Sequence, residues 1–368
     1  MKKKNLCKTL LETICIVLGI LILALLAYIV YLYASYYRIE DNQELVVEAP
    51  VDDTTTGAAA VLATDTEYSA VTYNIGFGAY LPDYSFFMDG GTSSWAESPE
   101  TVQYAINGAG ELVKSLDPDF ALIQEIDLDA TRSYHTDEYE MLRSLLPEYT
   151  TVFAQNYDSA FLFYPFTQPH GSSRAGLGLF SKYPVSSALR RSFPISTSFS
   201  KFFDLDRCYS VSRIPVDNGK ELVIFNLHMS AYGNSDEIRK GQIEMLCNDM
   251  AKEYEAGNYV LCGGDFNHDL KASEEDAENC ESWAFPFPRT ELPEHFAFCL
   301  DLLSSEERES LWNSARNADM EYVPGVTYTV TLDGFIISDN IECLSYENVN
   351  TGYSYSDHDP VKVEFALK

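Results

Sequence analysis

Basic residues are scarce in this sequence: 25 Lys and Arg stand against 56 Asp and Glu over 368 residues. Five of the basic residues and one of the acidic ones fall within the first 38, so the remainder holds 20 against 55, a net charge of about −35. A protein that coats nucleic acid gains its affinity by neutralising phosphates, and this composition excludes that class. It does not exclude a nuclease, because bound metal ions and a local cationic cleft outweigh a mean field. CxxC pairs are also lacking. Beyond the first 38 residues Cys208, Cys247, Cys262, Cys280, Cys299 and Cys343 occur singly, which excludes a thiolate metal site. An oxidising compartment would allow a disulfide, yet a domain this large does not need one. Internal repeats are absent, and so is any second linker past residue 66, so one large domain with its own hydrophobic core is expected.

Charge is missing altogether from Thr13 to Leu32. A helix of that length spans about 30 Å, the thickness of a bilayer's hydrocarbon core. Lys2, Lys3, Lys4 and Lys8 precede it, and Tyr31, Tyr33, Tyr36 and Tyr37 close it. This pattern predicts a cytoplasmic N-terminus, interfacial aromatics at the other end and everything beyond lying outside the cytoplasm. No small-x-small cleavage site ends the run, which favours an uncleaved anchor over a secretory signal. Cys7 and Cys15 sit too early for a lipoprotein. The expected division is a basic cytoplasmic segment over 1–12, an anchor over 13–35, a flexible acidic linker over 36–66 and a catalytic domain over 67–368. The linker reading rests on the aperiodic stretch VVEAPVDDTTTGAAAVLATDTE.

Short apolar runs then alternate with amphipathic segments. Strands are expected at Ser69–Asn74, Phe120–Glu125, Thr150–Ala154, Leu177–Ser181, Cys208–Val216, Leu222–His228, Tyr259–Gly263, Asp333–Ser338 and Val361–Ala366. Ser98-Pro99 reads as a cap with proline at the first helical position, and Val102, Ala105, Ile106, Ala109, Leu112, Val113 and Leu116 follow at helical spacing. A second helix is expected over Asp236–Glu255, closed by Gly257. The pattern predicts an α/β domain with mixed sheets. Four loops are rich in aromatics: Tyr80–Trp95, Tyr157–Phe166, Phe193–Phe203 and Trp283–Phe287. Such rings serve either as packing or as a substrate-binding or membrane-facing rim, and both readings stay open.

Coordinating residues end five apolar runs: Asn74 in VTYN, Glu125 in LIQE, His228 in FNLH, Asp265 and Asn267 in GGDFN, and Asp357-His358 in SDHDP. One carboxylate at a strand end is an ordinary turn residue. Five such ends together point to the ligand-binding edge of an α/β sheet, and oxygen-rich donors without thiols suit magnesium, manganese or calcium rather than zinc. The order Asn74, Gln124-Glu125, Gly264-Asp265-Phe266-Asn267, Asp333 with Ser338, and Ser356-Asp357-His358-x-Pro360 resembles the endonuclease/exonuclease/phosphatase superfamily from about Glu67 to Lys368. Arg174–Val185, RAGLGLFSKYPV, resembles its Gly-rich strand and following turn. The superfamily includes DNase I-like nucleases, abasic-site endonucleases, neutral sphingomyelinases and inositol polyphosphate 5-phosphatases.

The resemblance implies a four-layer α/β sandwich of two packed mixed β-sheets flanked by helices, preceded here by the apolar helix. It implies a Mg²⁺ (or Mn²⁺) ion held by Glu125, with Asn74 and Asp357 close to it. His358 would be the base that deprotonates water, oriented by Asp333, while Asp265 and Asn267 orient that water and a phosphate oxygen. His228 would sit near the leaving oxygen or the phosphate. Two departures stand out. Gly334 replaces the larger residue many members carry after the Asp, and Ser172, Ser173 and Arg174 occupy the region where DNase-type members place a carboxylate beside the histidine at His228. Arg132, Tyr134 and His135 are either substrate contacts or solvated loop residues, and Arg132 and Arg174 are the candidate phosphate-binding cations. Arg239 reads as a surface ion pair, and His170, His268 and His295 have no second ligand in their spacing. The implied activity is hydrolysis of a phosphodiester or phosphomonoester, from a lipid head group, nucleic acid or small metabolite. No obligate protein partner is evident. A non-catalytic binding protein is the competing class, but it would be expected to have lost Glu125, Asp265 or His358.

Overall fold

A computed structural model describes residues 2–52, 61–202, 204–230, 236–273 and 284–368. The central part of the expected linker, together with Phe203, Cys280 and Trp283, lies outside the described residues. The chain divides into two compact units, Met1–Arg38 and Ile39–Lys368.

The first unit is one helix, α1 (Lys2–Ser35). Its stretch Cys7–Ser35 is long and apolar enough to be a membrane span or a signal sequence.

The second unit opens with two short strands, β1 (Gln43–Glu44) and β2 (Val47–Glu48), followed by β3 (Glu67–Asn74), α2 (Pro99–Leu116), β4 (Phe120–Ala130), α3 (Glu138–Leu145), β5 (Thr150–Leu162), β6 (Gly171–Ser181) and β7 (Ser187–Ser192). Then come β8 (Cys208–Pro215), β9 (Glu221–His228), α4 (Asp236–Glu255), β10 (Tyr259–Asp265), β11 (Phe296–Phe298), α5 (Ser305–Ser310), β12 (Ala315–Arg316), β13 (Thr329–Val330), β14 (Asp333–Ser338), β15 (Ile341–Asn348) and β16 (Val361–Leu367). The strands form two seven-stranded mixed sheets, ordered β1-β7-β8-β9-β10-β14-β11 and β15-β16-β3-β4-β6-β5-β2, and a small β12-β13 pair. Among the strands of the described residues, β9/β10 and β3/β4 pair in parallel and the others antiparallel.

The sheets pack face to face. Leu122 and Leu179 from one and Leu227, Leu261 and Phe335 from the other are buried in one core. Gly263 permits this approach, since a Cβ there would lie 2.5 Å from Phe335 and 3.2 Å from Leu122 of the opposite sheet. Val102, Ile106, Ala109 and Val113 of α2 and Leu142 of α3 cover the outer face of the β3-β4-β6 sheet, packing on Tyr73, Ile123 and Phe180. Ile243, Leu246 and Met250 of α4 join the central core from the other sheet's side. Helix α2 starts where the cap signal puts it, with the Ser98 side chain accepting from the Thr101 N–H. This is the expected architecture of two packed mixed sheets flanked by helices.

One expectation needs correcting. Residues 36–66 are not wholly a flexible linker, because β1 pairs with β7 and β2 with β5. The buried Arg190 guanidinium donates to the carbonyls of Ile39, Glu40, Gln155 and Asp206, which ties this segment to the sheet edge. Pairing of this kind between distant segments leaves no periodic signal in two-residue strands.

Candidate active site

A cavity of about 600 Å³ in the second unit lies at one edge where both sheets present strand ends. Its floor is set by register. Asp265, the last residue of β10, is paired with His228, the last of β9, on one side and with Asp333, the first of β14, on the other. Gly264 makes that termination feasible. Its φ of +146° is open only to glycine, and a Cβ there would stand 2.1 Å from the Leu227 carbonyl oxygen. Asn267 has φ +50°, and its N–H returns to Asp265 Oδ1 at 2.8 Å.

From the other sheet, a bulge in β4 between Ile123 and Ile126 separates two neighbours. Gln124 points between the sheets, where its amide donates to Asn226 Oδ1 at 2.8 Å and Thr72 Oγ1 at 3.1 Å, joining the layers. Glu125, at φ +56°, turns the other way and lines the cavity. Asp357 and His358 come from the turn before β16, which Ser356 holds through its hydroxyl on the Asn74 carbonyl at 2.8 Å.

The shortest contact among these groups is between His358 and Asp333. His358 Nδ1 lies 2.7 Å from Asp333 Oδ2, which also accepts from Ser314 Oγ at 2.7 Å. This leaves His358 Nε2 facing Asp265, 3.9 Å from its Oδ2. Burial disfavours a charged His358 ring, but Asp333, helped by Asp265 and Asp357, outweighs it and raises the pKa well above the usual imidazole value. Burial, reinforced by Asp333 and opposed by His358, pushes Asp265 up to about 7. His228 behaves in the opposite way. Burial, with Arg207, His358 and Arg132 nearby, holds its pKa well below the usual value, so a neutral ring faces Asp265 Oδ2 at 3.5 Å and Glu125 Oε1 at 3.9 Å.

The donor set suits a hard divalent cation. Burial and then the neighbouring Glu125 raise Asp357, with His358 and Arg316 opposing. Asp89 is pushed up to about 7 by burial and by Asp357, Glu125 and Asp319. These partly buried carboxylates repel one another, and their oxygens are the ligands such an ion prefers. A second grouping, Asp265, Asp333 and His358, has ligand atoms within 4.8 Å of one another. There the hydrogen bond engages Asp333 Oδ2 and His358 Nδ1, so an ion held by this grouping would compete with the orientation of the ring.

Other expected residues differ in placement. Asn74 is not turned to ligate an ion: its Oδ1 accepts from Gly76 N at 3.0 Å, and its amide nitrogen donates to Glu125 Oε1 at 3.1 Å and Asp265 Oδ2 at 3.2 Å. It orients the carboxylates. Arg174 is not in the cavity wall. It is exposed on β6 and paired with Asp129 at 3.0 Å, which also holds His135 at 2.6 Å. Arg132 does line the cavity, fixed by Asp127 at 2.8 Å with its guanidinium 3.7 Å over the Phe77 ring. Asn267 donates its amide to the Met229 carbonyl at 3.0 Å.

The wall also holds Arg207, Arg316, His170, Asn156 and Asp89, none of which stood out in the sequence. Arg207 is the most telling: it is 7 % exposed, and its Nε and Nη1 have no hydrogen-bond partner among the described residues. It precedes β8 rather than ending a strand, so the strand-end pattern passes over it. Its one available signal was a cation beside a strand in a chain poor in them.

Residues 71–302 match the model of the endonuclease/exonuclease/phosphatase family. The chain belongs to that family. It is accordingly a metal-dependent hydrolase of phosphoric ester bonds. No curated protein matches the sequence. Among solved structures, an endonuclease/exonuclease/phosphatase from Beutenbergia cavernae DSM 12333 superimposes with a TM-score of 0.55 at 15% identity, covering 82% of this chain and 72% of the other. D. rerio TDP2 complexed with a single-strand DNA product gives 0.54 at 14% identity, over 82% of this chain and all (100%) of that one. The human Nocturnin catalytic domain with a bound sulfate anion gives 0.51 at 14%, over 84% and 96%. At these identities the likeness is one of fold, and family membership rests on the sequence match.

Proposed function

We propose that this family member is a membrane-anchored, extracytoplasmic phosphoesterase, dependent on Mg²⁺ or Mn²⁺, in which His358 activates the attacking water. The observation that carries the reading is the 2.7 Å contact from Asp333 to His358 Nδ1, which leaves Nε2 aimed at the cavity between two groups of carboxylates. Asp333 fixes the ring's tautomer and favours the imidazolium that forms when the ring takes a proton. Asp265, 3.9 Å from Nε2, orients the water, and the Asn267 backbone N–H holds that carboxylate in place. Glu125 and Asp357 would hold the ion, with Asn74 orienting Glu125. When bound, the metal supplies positive charge against a phosphoryl oxygen and offsets the negative charge of the transition state. Arg207, with its unpartnered nitrogens, and Arg132 receive the remaining phosphate oxygens. His228, held neutral, contributes a hydrogen bond near the leaving oxygen.

The anchor is residues 13–35, with 1–12 cytoplasmic, and the catalytic domain follows outside. Support comes from the apolar stretch of α1 and the lysines before it. A nucleic acid substrate is the second reading, favoured by the three cavity guanidiniums of Arg132, Arg207 and Arg316. The full-length protein in detergent, assayed with Mg²⁺ or Mn²⁺ on bis-p-nitrophenyl phosphate, DNA, sphingomyelin and inositol phosphates, tests the proposal. His358→Ala should lose turnover on whichever substrate the parent accepts. Equal rates for parent and variant on every substrate would remove His358 from the mechanism.

A further inference from the structure

The β5–β6 hairpin tip carries three exposed aromatic side chains. Phe163 is 50 %, Tyr164 63 % and Phe166 84 % exposed. From Ser159 to Pro169 the sequence has no charged residue, in a chain that is 22% charged. An acidic, soluble surface would not be expected to retain such a stretch facing water, because apolar area left exposed costs roughly 25 cal/mol per Å².

The tip adjoins the cavity mouth. Tyr164 contacts Phe87 with ring centroids 5.9 Å apart, and its carbonyl accepts from the His170 N–H at 3.2 Å. His170, Phe86 and Met88 line the cavity, and Met88 is 58 % exposed. A third feature is covalent. Helix α1 ends at Ser35, and by Ile39 the chain is already fixed in the domain, its N–H on the Asp206 carboxylate at 3.3 Å and its carbonyl on Arg190 at 3.5 Å. Asp206 lies between Leu205 and Arg207, both of which line the cavity.

We infer that the hairpin tip Phe163–Phe166 is an interfacial docking segment that inserts into the bilayer, and that the substrate is a phosphoester carried by a lipid head group. The inference rests on the phosphoesterase reading and on α1 being a retained membrane anchor. Insertion of two phenylalanines and a tyrosine is the chemistry of an interfacial apolar anchor. The strong negative charge of the domain opposes attraction to anionic lipid, so the docking surface is zwitterionic and the binding is little affected by salt. With the tip inserted, the adjacent mouth faces head groups.

The test uses the full chain in phosphatidylcholine nanodiscs. Phe166→Trp adds one emitter to Trp95, Trp283 and Trp312, and its contribution is read against the parent. Brominated phosphatidylcholine should quench the added emission by at least half. The emission added by Tyr104→Trp, an exposed position on α2, should be unaffected. No quenching at 166, or equal quenching at both positions, overturns the docking segment. A Phe163→Ser/Phe166→Ser variant should hydrolyse bis-p-nitrophenyl phosphate within twofold of the parent and lose at least tenfold on bilayer phospholipid. Equal rates on bilayer lipid would overturn the assignment of substrate. A parent inactive on every ester would instead overturn the phosphoesterase reading, while quenching at 166 would still decide the docking.

Discussion

At the scale of single residues, burial assigns opposite protonation to histidines of one cavity. Asp333 against Nδ1 raises the pKa of His358 despite burial, whereas burial and Arg132 bring that of His170 down to about 3. Asp333→Asn should leave the fold intact, since the amide can still accept from Ser314 Oγ at its carbonyl oxygen. It removes the carboxylate that favours the imidazolium, so kcat should fall by about 10²- to 10⁴-fold, the range of general acid–base contributions. His358→Ala should lose a similar factor, and the double variant little more, because the pair acts as a unit. Additive losses would show two independent roles. His170 affects stability rather than chemistry. Its folded pKa lies below the unfolded value, so its contribution is complete above pH 6.5 and declines as pH falls from 6.5 towards 3. Between pH 7 and 5 this costs about 2 kcal/mol. His170→Phe should therefore flatten the loss of urea stability over that interval, and an unchanged slope would place the acid sensitivity elsewhere.

At the scale of elements, catalysis depends on where strands stop. Gly264 puts the β10 terminus at Asp265, at a φ that other residues occupy only at a cost of about 1–3 kcal/mol, before the clash with the Leu227 carbonyl is counted. Gly264→Ala should lower stability by about 3 kcal/mol or more and depress kcat more than KM, because Asp265 and its register with His228 and Asp333 move together. A variant of native stability and kcat would show the cradle to be adaptable. The same strand ends explain what was legible in the sequence. Asn74, Glu125, His228 and Asp265 each close an apolar run, Asp357-His358 instead lie in the turn before β16 and are marked by the SDHDP motif, and the cap at Ser98-Pro99 and the helix from Asp236 are written in local pattern. The strands were expected too short at β4, β5 and β6, because their polar, bulged ends lie beyond the apolar stretch that marks a strand. Two-residue pairings such as β1 and β2 have no period to detect. Arg207 and His170 join the cavity only through long-range packing, and the turn of the Asn74 amide away from the ligand role is set by Gly76 and two carboxylates that come from three different segments.

At the scale of the whole molecule, a domain of strong net negative charge gathers Glu125, Asp357 and Asp89 around one cavity, where burial and the neighbouring carboxylates raise the pKa of Asp357 and of Asp89. Without a cation this arrangement is a stability deficit maintained for function, and it has two separable consequences. Mg²⁺ or Mn²⁺ binding only the folded state should raise the melting temperature, by about 2.7 kcal/mol when the ion is a hundredfold above its Kd, and EDTA should remove both that gain and the activity. Asp357→Asn should melt higher than the parent in EDTA, since it deletes a partly buried charge near Glu125, yet gain little from the ion and have little turnover. His358→Ala should keep the ion's stabilisation while losing turnover, because its ring belongs to the Asp333 contact rather than to the carboxylate cage. If instead His358→Ala abolished the ion's effect and Asp357→Asn preserved it, the cation would belong to the grouping of Asp265, Asp333 and His358, and the division of labour between the two sheets' strand ends would be reversed.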